Sequence, residues 1–173
     1  MKKRSSVSNV KKEIKILGID PGSTTIGYGV VNYNNSNSKP SAIGYGYIDL
    51  KQCTGQEVRL LQLHKDLKEL LKQYEPDAIA IENIYFFKNA KTITKVIQSK
   101  GVILLTAAQS KITVYEYTPL QVKQTISGYG KADKRFIQKS IQSSLGIKSD
   151  IRPDDVSDAL AIALCHIRHL TCL

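Results

Sequence analysis

Apolar residues along this chain recur with two periods. Residues 14–19 (IKILGI) form a short apolar run with β-branched members, closed by Pro21-Gly22, which is the pattern of a buried strand. Residues 26–33 (IGYGVVNY) read as its hairpin partner, and the polar cluster NNSNSKPS at 34–41 as the next turn. Over 42–50, Ile43, Tyr45 and Tyr47 alternate with Ala42, Gly44 and Gly46. That is a third strand, and three strands in succession predict an antiparallel meander. The period then changes. Val58, Leu61, His64, Leu67, Leu70, Leu71 and Tyr74 fall three and four apart, so 56–74 is predicted as an amphipathic helix stopped by Pro76. His64 lies within this stripe and reads as a packed helix residue, not a ligand.

Residues 78–82 (AIAIE) return to a short apolar run, a fourth strand that ends on an acid. Residues 90–108 predict a helix that is apolar on more than one face near its end, with Gly101 open to a close neighbour. A fifth strand at 112–117, a short helix opened by Pro119, the loop SGYGKADK, a helix at 133–145 and a last helix starting near Pro153 complete the order. Three hairpin-linked strands followed by two reached through helices predict an α/β fold: a mixed five-stranded sheet flanked by helices.

Composition narrows the class. A length of 173 residues suits one compact domain. Residues 14–173 are assigned to it, and the basic stretch 1–13 to a mobile tail. A formal net charge of +10 favours a polyanionic partner. Cys53, Cys165 and Cys172 fit no disulfide framework, so a reducing, cytoplasmic setting is expected. No apolar stretch approaches the roughly 18 residues of a membrane span, and the basic start is not followed by the apolar segment of a signal peptide.

The acids carry the candidate chemistry. Asp20 and Glu82 each end a buried strand, and strands one and four are neighbours in a sheet of this order, so their carboxylates should lie close together at the strand ends. The turn Gly22-Ser23-Thr24-Thr25 after Asp20 leaves a second use open, a cradle for nucleotide phosphates. Asp155 and Asp158 are three apart on the last helix and share one face. The same stripe runs on through Ile162, Cys165 and His169, which predicts that it faces inward. Crowded carboxylates resist joint ionisation, and a hard divalent cation relieves the conflict. Four of them can hold two Mg²⁺ ions that clamp an in-line phosphoryl displacement. Cys165, His169 and Cys172, with His166 beside them, have helical spacing but lack a fourth zinc ligand, and burial already explains them. The segment YFFKNAKTITK sets Tyr85, Phe86 and Phe87 beside Lys88, Lys91 and Lys95, a pattern for stacking bases and meeting phosphates. Lys123, Lys131, Lys134 and Arg135 form a second basic group.

Four blocks together resemble the RuvC family of Holliday junction resolvases: ILGIDPGSTTIGYGVV, IAIENIYFFKNAKT, YTPLQVKQTISGYGKADK and RPDDVSDALAIALCH. They run in order from about residue 14 to 168. The element order is similarly that of the ribonuclease-H-like fold. The resemblance implies that Asp20, Glu82, Asp155 and Asp158 are the catalytic, metal-binding acids, with Mg²⁺ or Mn²⁺ as cofactor. It implies a homodimer that cuts two opposed strands of a four-way DNA junction in recombination and repair, leaving 5′-phosphate ends, and that works with the RuvA and RuvB branch-migration proteins. Among the basic residues it singles out Lys123 and Lys134. Tyr85 stands where the family usually has phenylalanine. The two-sided helix 90–108 is the expected dimer interface. An actin-like or sugar-kinase nucleotide-binding domain opens on a similar strand and turn, but such proteins need two domains around a cleft and this chain has length for one.

Overall fold

Strand alternation sorts the chain onto the two faces of one sheet. The computed structural model describes residues 13–36, 39–84, 90–128, 130 and 132–171, leaving aside the side chains of 90–92. Strands β1 (Glu13–Asp20), β2 (Thr25–Asn34) and β3 (Lys39–Asp49) form the meander. Helix α1 (Gln56–Tyr74) leads to β4 (Ala78–Glu82), and α2 (Ala90–Gln109) to β5 (Thr113–Tyr117). Helices α3 (Pro119–Ser127), α4 (Lys134–Leu145) and α5 (Asp154–Thr171) follow. The sheet order is β3-β2-β1-β4-β5, antiparallel through the meander and parallel from β1 to β4 and β4 to β5. This is the predicted order; α1 and β4 have the predicted bounds, and ends of the other predicted elements are displaced by one to three residues. The tail is shorter than expected by one residue, since Glu13 already pairs with Asn34.

One face is large and aliphatic. Leu17, Ile19, Ile26, Val30, Ile79 and Ile81 point to α1 and α2, which contribute Leu63, Leu67 and Ile103. His64 helps to join these two helices, its Nδ1 lying 2.8 Å from the Thr106 hydroxyl, so the packed reading of that residue stands. The other face is built from small residues. Gly18, Gly27, Gly29, Ala78 and Ala80 occupy the alternate positions, and α5 lies on them. A Cβ on Gly18 would stand 2.0 Å from the carbonyl oxygen of Ala159, and one on Gly27 2.0 Å from that of Asp155. On Gly29 it would stand 2.6 Å from Leu160 Cδ2. No side chain fits at those distances, so these glycines set how near the helix comes.

Helix α5 is covered on its far side by α3 and α4, which explains why it is buried almost without a break from Val156 to Ile167. The predicted single inward stripe is therefore too narrow for its middle and wrong at its end, where His169 is exposed. Arg168 ties the layers together, its guanidinium donating to the carbonyl of Thr125 at 2.6 Å and to the Ser144 hydroxyl at 3.2 Å. Local signals fix the ends of the other helices. Thr118 and Gln121 form a reciprocal capping box before Pro119, and the Asp133 carboxylate accepts from the Phe136 amide at 2.7 Å.

The close approach has a measurable cost if it is obstructed. Gly27→Ala should destabilise the fold by about 1–3 kcal/mol, as overpacking does, lowering Tm by roughly 3–10 °C in a scanning calorimeter. An unchanged Tm would mean that α5 does not rest on Gly27 in solution.

Candidate active site

The same alternation that makes Gly18 face α5 makes Asp20 face it, two residues on. Glu82 follows Ala78 and Ala80 onto that face in the neighbouring strand. β1 and β4 pair in parallel as far as Ile19 and Ile81, so the two acids are the next residues past the last paired rung. Beyond them the chain leaves the sheet. Pro21 and Gly22 turn it sharply, since a Cβ on Gly22 would stand 2.0 Å from the Thr25 carbonyl oxygen. Across β1, Asp20 pairs with Gly27, the glycine on which the first turn of α5 rests. That contact delivers Asp155, and one helical turn later Asp158, to the acids at the strand ends.

Electrostatics reports the crowding. The Asp20 pKa is pushed up to about 8 by burial first, then by Glu82, Asp158 and Asp155, with Lys134 opposing. Glu82 is raised by burial and by Asp158, an effect reduced by a hydrogen bond from Asp20 and by the Lys123 charge. Asp158 is raised chiefly by burial, with Lys134 pulling the other way. A proton on Asp20, shared with Glu82, is how the site holds these carboxyls together.

Two of the lysines expected to contact DNA, Lys123 and Lys134, stand beside the acids. Lys134 Nζ lies 3.0 Å from Asp154 Oδ2 and 3.5 Å from Asp158 Oδ2. Burial works against its charge, but the bonds to these aspartates hold its pKa above the ordinary value. Lys123 shares with Lys134, Glu82 and Asp158 a cleft of about 260 Å³. A second cleft of about 510 Å³ opens on the other side of Asp20 and Glu82, walled by Pro21, Ile84, Val96, Pro119 and Leu120. Arg135 is exposed in the first turn of α4. Tyr85, Phe86, Lys88, Lys131 and the side chain of Lys91 lie outside the described residues.

Sequence reasoning missed the support behind Glu82. The Asn83 amide donates to the Tyr117 carbonyl at 2.8 Å. Its side chain accepts from Lys100 Nζ at 3.4 Å, while Lys100 pairs with Glu116 at 2.7 Å. These contacts anchor the chain where it leaves β4. Behind them, buried His166 lies 2.6 Å from the Tyr117 hydroxyl, and burial, aided by His169, drops its pKa to about 4. Cys165 Sγ and His169 Nδ1 are 3.7 Å apart, Cys172 lies outside the described residues, and nothing assembles a zinc site among the rest.

The oxygen-only donor set suits a hard divalent cation. Among the described residues no three acid, histidine or cysteine side chains form a ready-made cage for one. Asp20 and Glu82 share a hydrogen bond, and Lys134 lies 3.5 Å from the Asp158 carboxylate. A cation would take over the neutralising role of that proton and that ammonium.

Comparison with known proteins gives a consistent result. A family model described as crossover junction endodeoxyribonuclease RuvC matches residues 16–166. A relative of the same description from Caldicellulosiruptor saccharolyticus is 47% identical over 154 residues, covering 89% of this chain and 92% of its own. Another from Syntrophomonas wolfei is 48% identical, covering 89% of this chain and 88% of its own. The solved structure of Thermus thermophilus RuvC in complex with Holliday junction substrate superposes with a TM-score of 0.86 at 31% identity, over 92% of this chain and 96% of that one.

The acid cluster predicts a pH dependence in metal-free buffer. Between the ordinary carboxyl pKa of 3.8 and about 8 the folded protein keeps a proton on Asp20 that the unfolded chain has released. Its contribution to stability is therefore full below pH 3.8 and lost as pH rises through about 8. Asp20→Asn should remove that slope and melt about 5 °C above the native protein near pH 9, the gap closing towards pH 4. Mg²⁺ should raise the native Tm near pH 8 and leave the variant unmoved. Parallel pH profiles for the two proteins would exclude a strained cluster.

Proposed function

The chain belongs to the RuvC family of crossover junction endodeoxyribonucleases, and we propose that it resolves four-way (Holliday) DNA junctions with Asp20, Glu82, Asp155 and Asp158 as its catalytic acids. The observation that supports this most is the mutual pKa elevation of acids drawn from two strand ends and one helix. Such a cluster opposes its own folding and is justified by a cation. The cofactor is Mg²⁺, two ions per site, with Mn²⁺ able to substitute. When bound, the ions supply an activated water and a neutralised leaving oxygen. The chain's own part is to hold the carboxylates rigidly, through the β1 and β4 backbones and the seat of α5 on Gly27. Water adds to phosphorus, the bond from phosphorus to the 3′ oxygen breaks, and the products carry a 3′-hydroxyl and a 5′-phosphate that can be rejoined. Lys134 and Lys123 stand beside the acids, where a phosphate would need positive charge.

The working unit is a homodimer, since a two-fold axis presents one site to each of two opposed strands. Helix α2 exposes Ile97, Leu104 and Leu105 at 45%, 37% and 56%, and α1 packed beside it exposes Val58 and Leu61. Among the described residues nothing stands within 4 Å of a Cβ built on Gly101, which suits a partner helix there. The single nuclease domain begins at Glu13, where β1 starts, and the enzyme works in the cytoplasm with the RuvA and RuvB proteins.

Incubated with Mg²⁺ and synthetic four-way, three-way and linear DNA, the protein should cut the four-way junction symmetrically and spare the linear duplex. Asp20→Asn should lower cutting at least about 10³-fold while junction binding persists, read by gel shift. Equal cutting of all three substrates would refute the assignment. Leu105→Glu should turn the dimer into a monomer in sedimentation at little cost in Tm, because that side chain is 56% exposed. A dimer that survives the change would move the interface elsewhere.

A further inference from the structure

The row of the sheet that carries the acids extends past them to an exposed aromatic. Asp20 pairs with Gly27, and Gly27 pairs with Tyr47 on the edge strand β3. Residues directly paired across strands point to the same face, so Tyr47 stands on the α5 face with Asp20. Adjacent strands are about 4.8 Å apart, which places the two backbones roughly 10 Å from each other. Gly27 between them has no side chain, and the Asp155 carbonyl fills its place. Tyr47 is 48% exposed, and Tyr45, two residues back on the same face, is 40% exposed. A shallow cleft of about 590 Å³, lined by Tyr47, Arg152, Pro153, Asp154 and Asp155, joins this aromatic to the acids. Two lining carboxylates would repel a phosphate: Lys134 holds Asp154 at 3.0 Å, and Asp155 is one of the acids proposed above to hold the cation.

We propose that Tyr47 and Arg152 form a nucleotide-binding subsite for the DNA strand that carries the scissile phosphate, on the β3 side of Asp20. The inference rests on the nuclease reading above and adds residues to it. At about 3.4 Å of rise per base, a span of roughly 10 Å puts the Tyr47 ring about three base steps from the cut. The tyrosine presents a face for a base, which any base can use. The guanidinium meets a backbone phosphate. Tyr47 lies outside the four motif blocks while Arg152 opens the last of them, so strand position and not local sequence brings the tyrosine to the site. Continuity with the acids through Asp155 argues for the substrate strand as occupant over a protein partner.

The test uses four-way junctions with 2-aminopurine at the second, third or fourth nucleotide on either side of the cut, bound to the Asp20→Asn protein so that cutting is held off. One position should be quenched by stacking; the quench should vanish with Tyr47→Ala and remain with Tyr47→Phe. In the otherwise native protein, Tyr47→Ala should weaken junction binding about tenfold. Arg152→Gln should lower the salt slope of binding by about one. Unchanged quenching and binding in Tyr47→Ala, with junctions still cut, would overturn this subsite alone. A native protein that binds and cuts no junction would overturn the nuclease reading and the subsite with it. Loss of Tm and binding together in both Tyr47 variants would assign the residue to the fold and overturn the proposal.

Discussion

The close seat of α5 on a track of glycines is the constraint from which the rest follows. A Cβ on Gly18 or Gly27 would stand 2.0 Å from a carbonyl oxygen of that helix. Remove the space and the helix must lift, taking Asp155 and Asp158 away from Asp20 and Glu82. The other face of the sheet is filled mainly with leucine, isoleucine and valine, and its close glycines, Gly44 and Gly46, face tyrosine side chains and not the backbone of a helix. Both faces bury apolar clusters that stabilise the domain, but only the small-residue face sets how near a helix backbone comes to the sheet. Covering α5 with α3 and α4 then locks that position, because a helix buried on all sides has nowhere to shift.

What the helix delivers is a conflict of charge. Burial and mutual repulsion raise Asp20 to about 8 and raise Glu82 and Asp158 as well. A fold that assembles such a cluster gives up stability at neutral pH, which is the usual relation between a functional site and its scaffold. Relief is local. The proton between Asp20 and Glu82 and the Lys134 ammonium on Asp158 offset the charge that a divalent cation held by these acids would offset. The anchoring of Asn83 by Tyr117 and Lys100 serves the same end, since carboxylates tuned by mutual distance need fixed backbones.

Much of this was legible in the sequence because it is local. Strand and helix periods, the proline and glycine stops and the acids at strand ends all sit within a few residues of their cause. Parity alone puts Asp20 and Glu82 on one face: Ile16, Gly18, Asp20 in one strand and Ala78, Ala80, Glu82 in the other. The same strings contain the small-residue face, but its meaning needs the helix that packs on it, which arrives more than seventy residues later. Lys134 is singled out as a DNA contact by the family resemblance alone, and its pairing with Asp154 and Asp158 depends on how α4 docks against α5. Tyr47 read as one more residue of an alternating strand. Only the register β1 to β2 to β3 shows it in line with Asp20. His169 was placed inward by extending a stripe beyond the point where the helix leaves its cover.

The central claim is that helix approach, and not the presence of four acids alone, makes the cation site. Calorimetric titration of Mn²⁺ into the native protein and into Gly27→Ala tests it, because that variant keeps every acid. The account predicts at least about a tenfold loss of affinity in the variant, of the size that displaced ligand supports produce. Equal affinity in a variant that remains folded would contradict it.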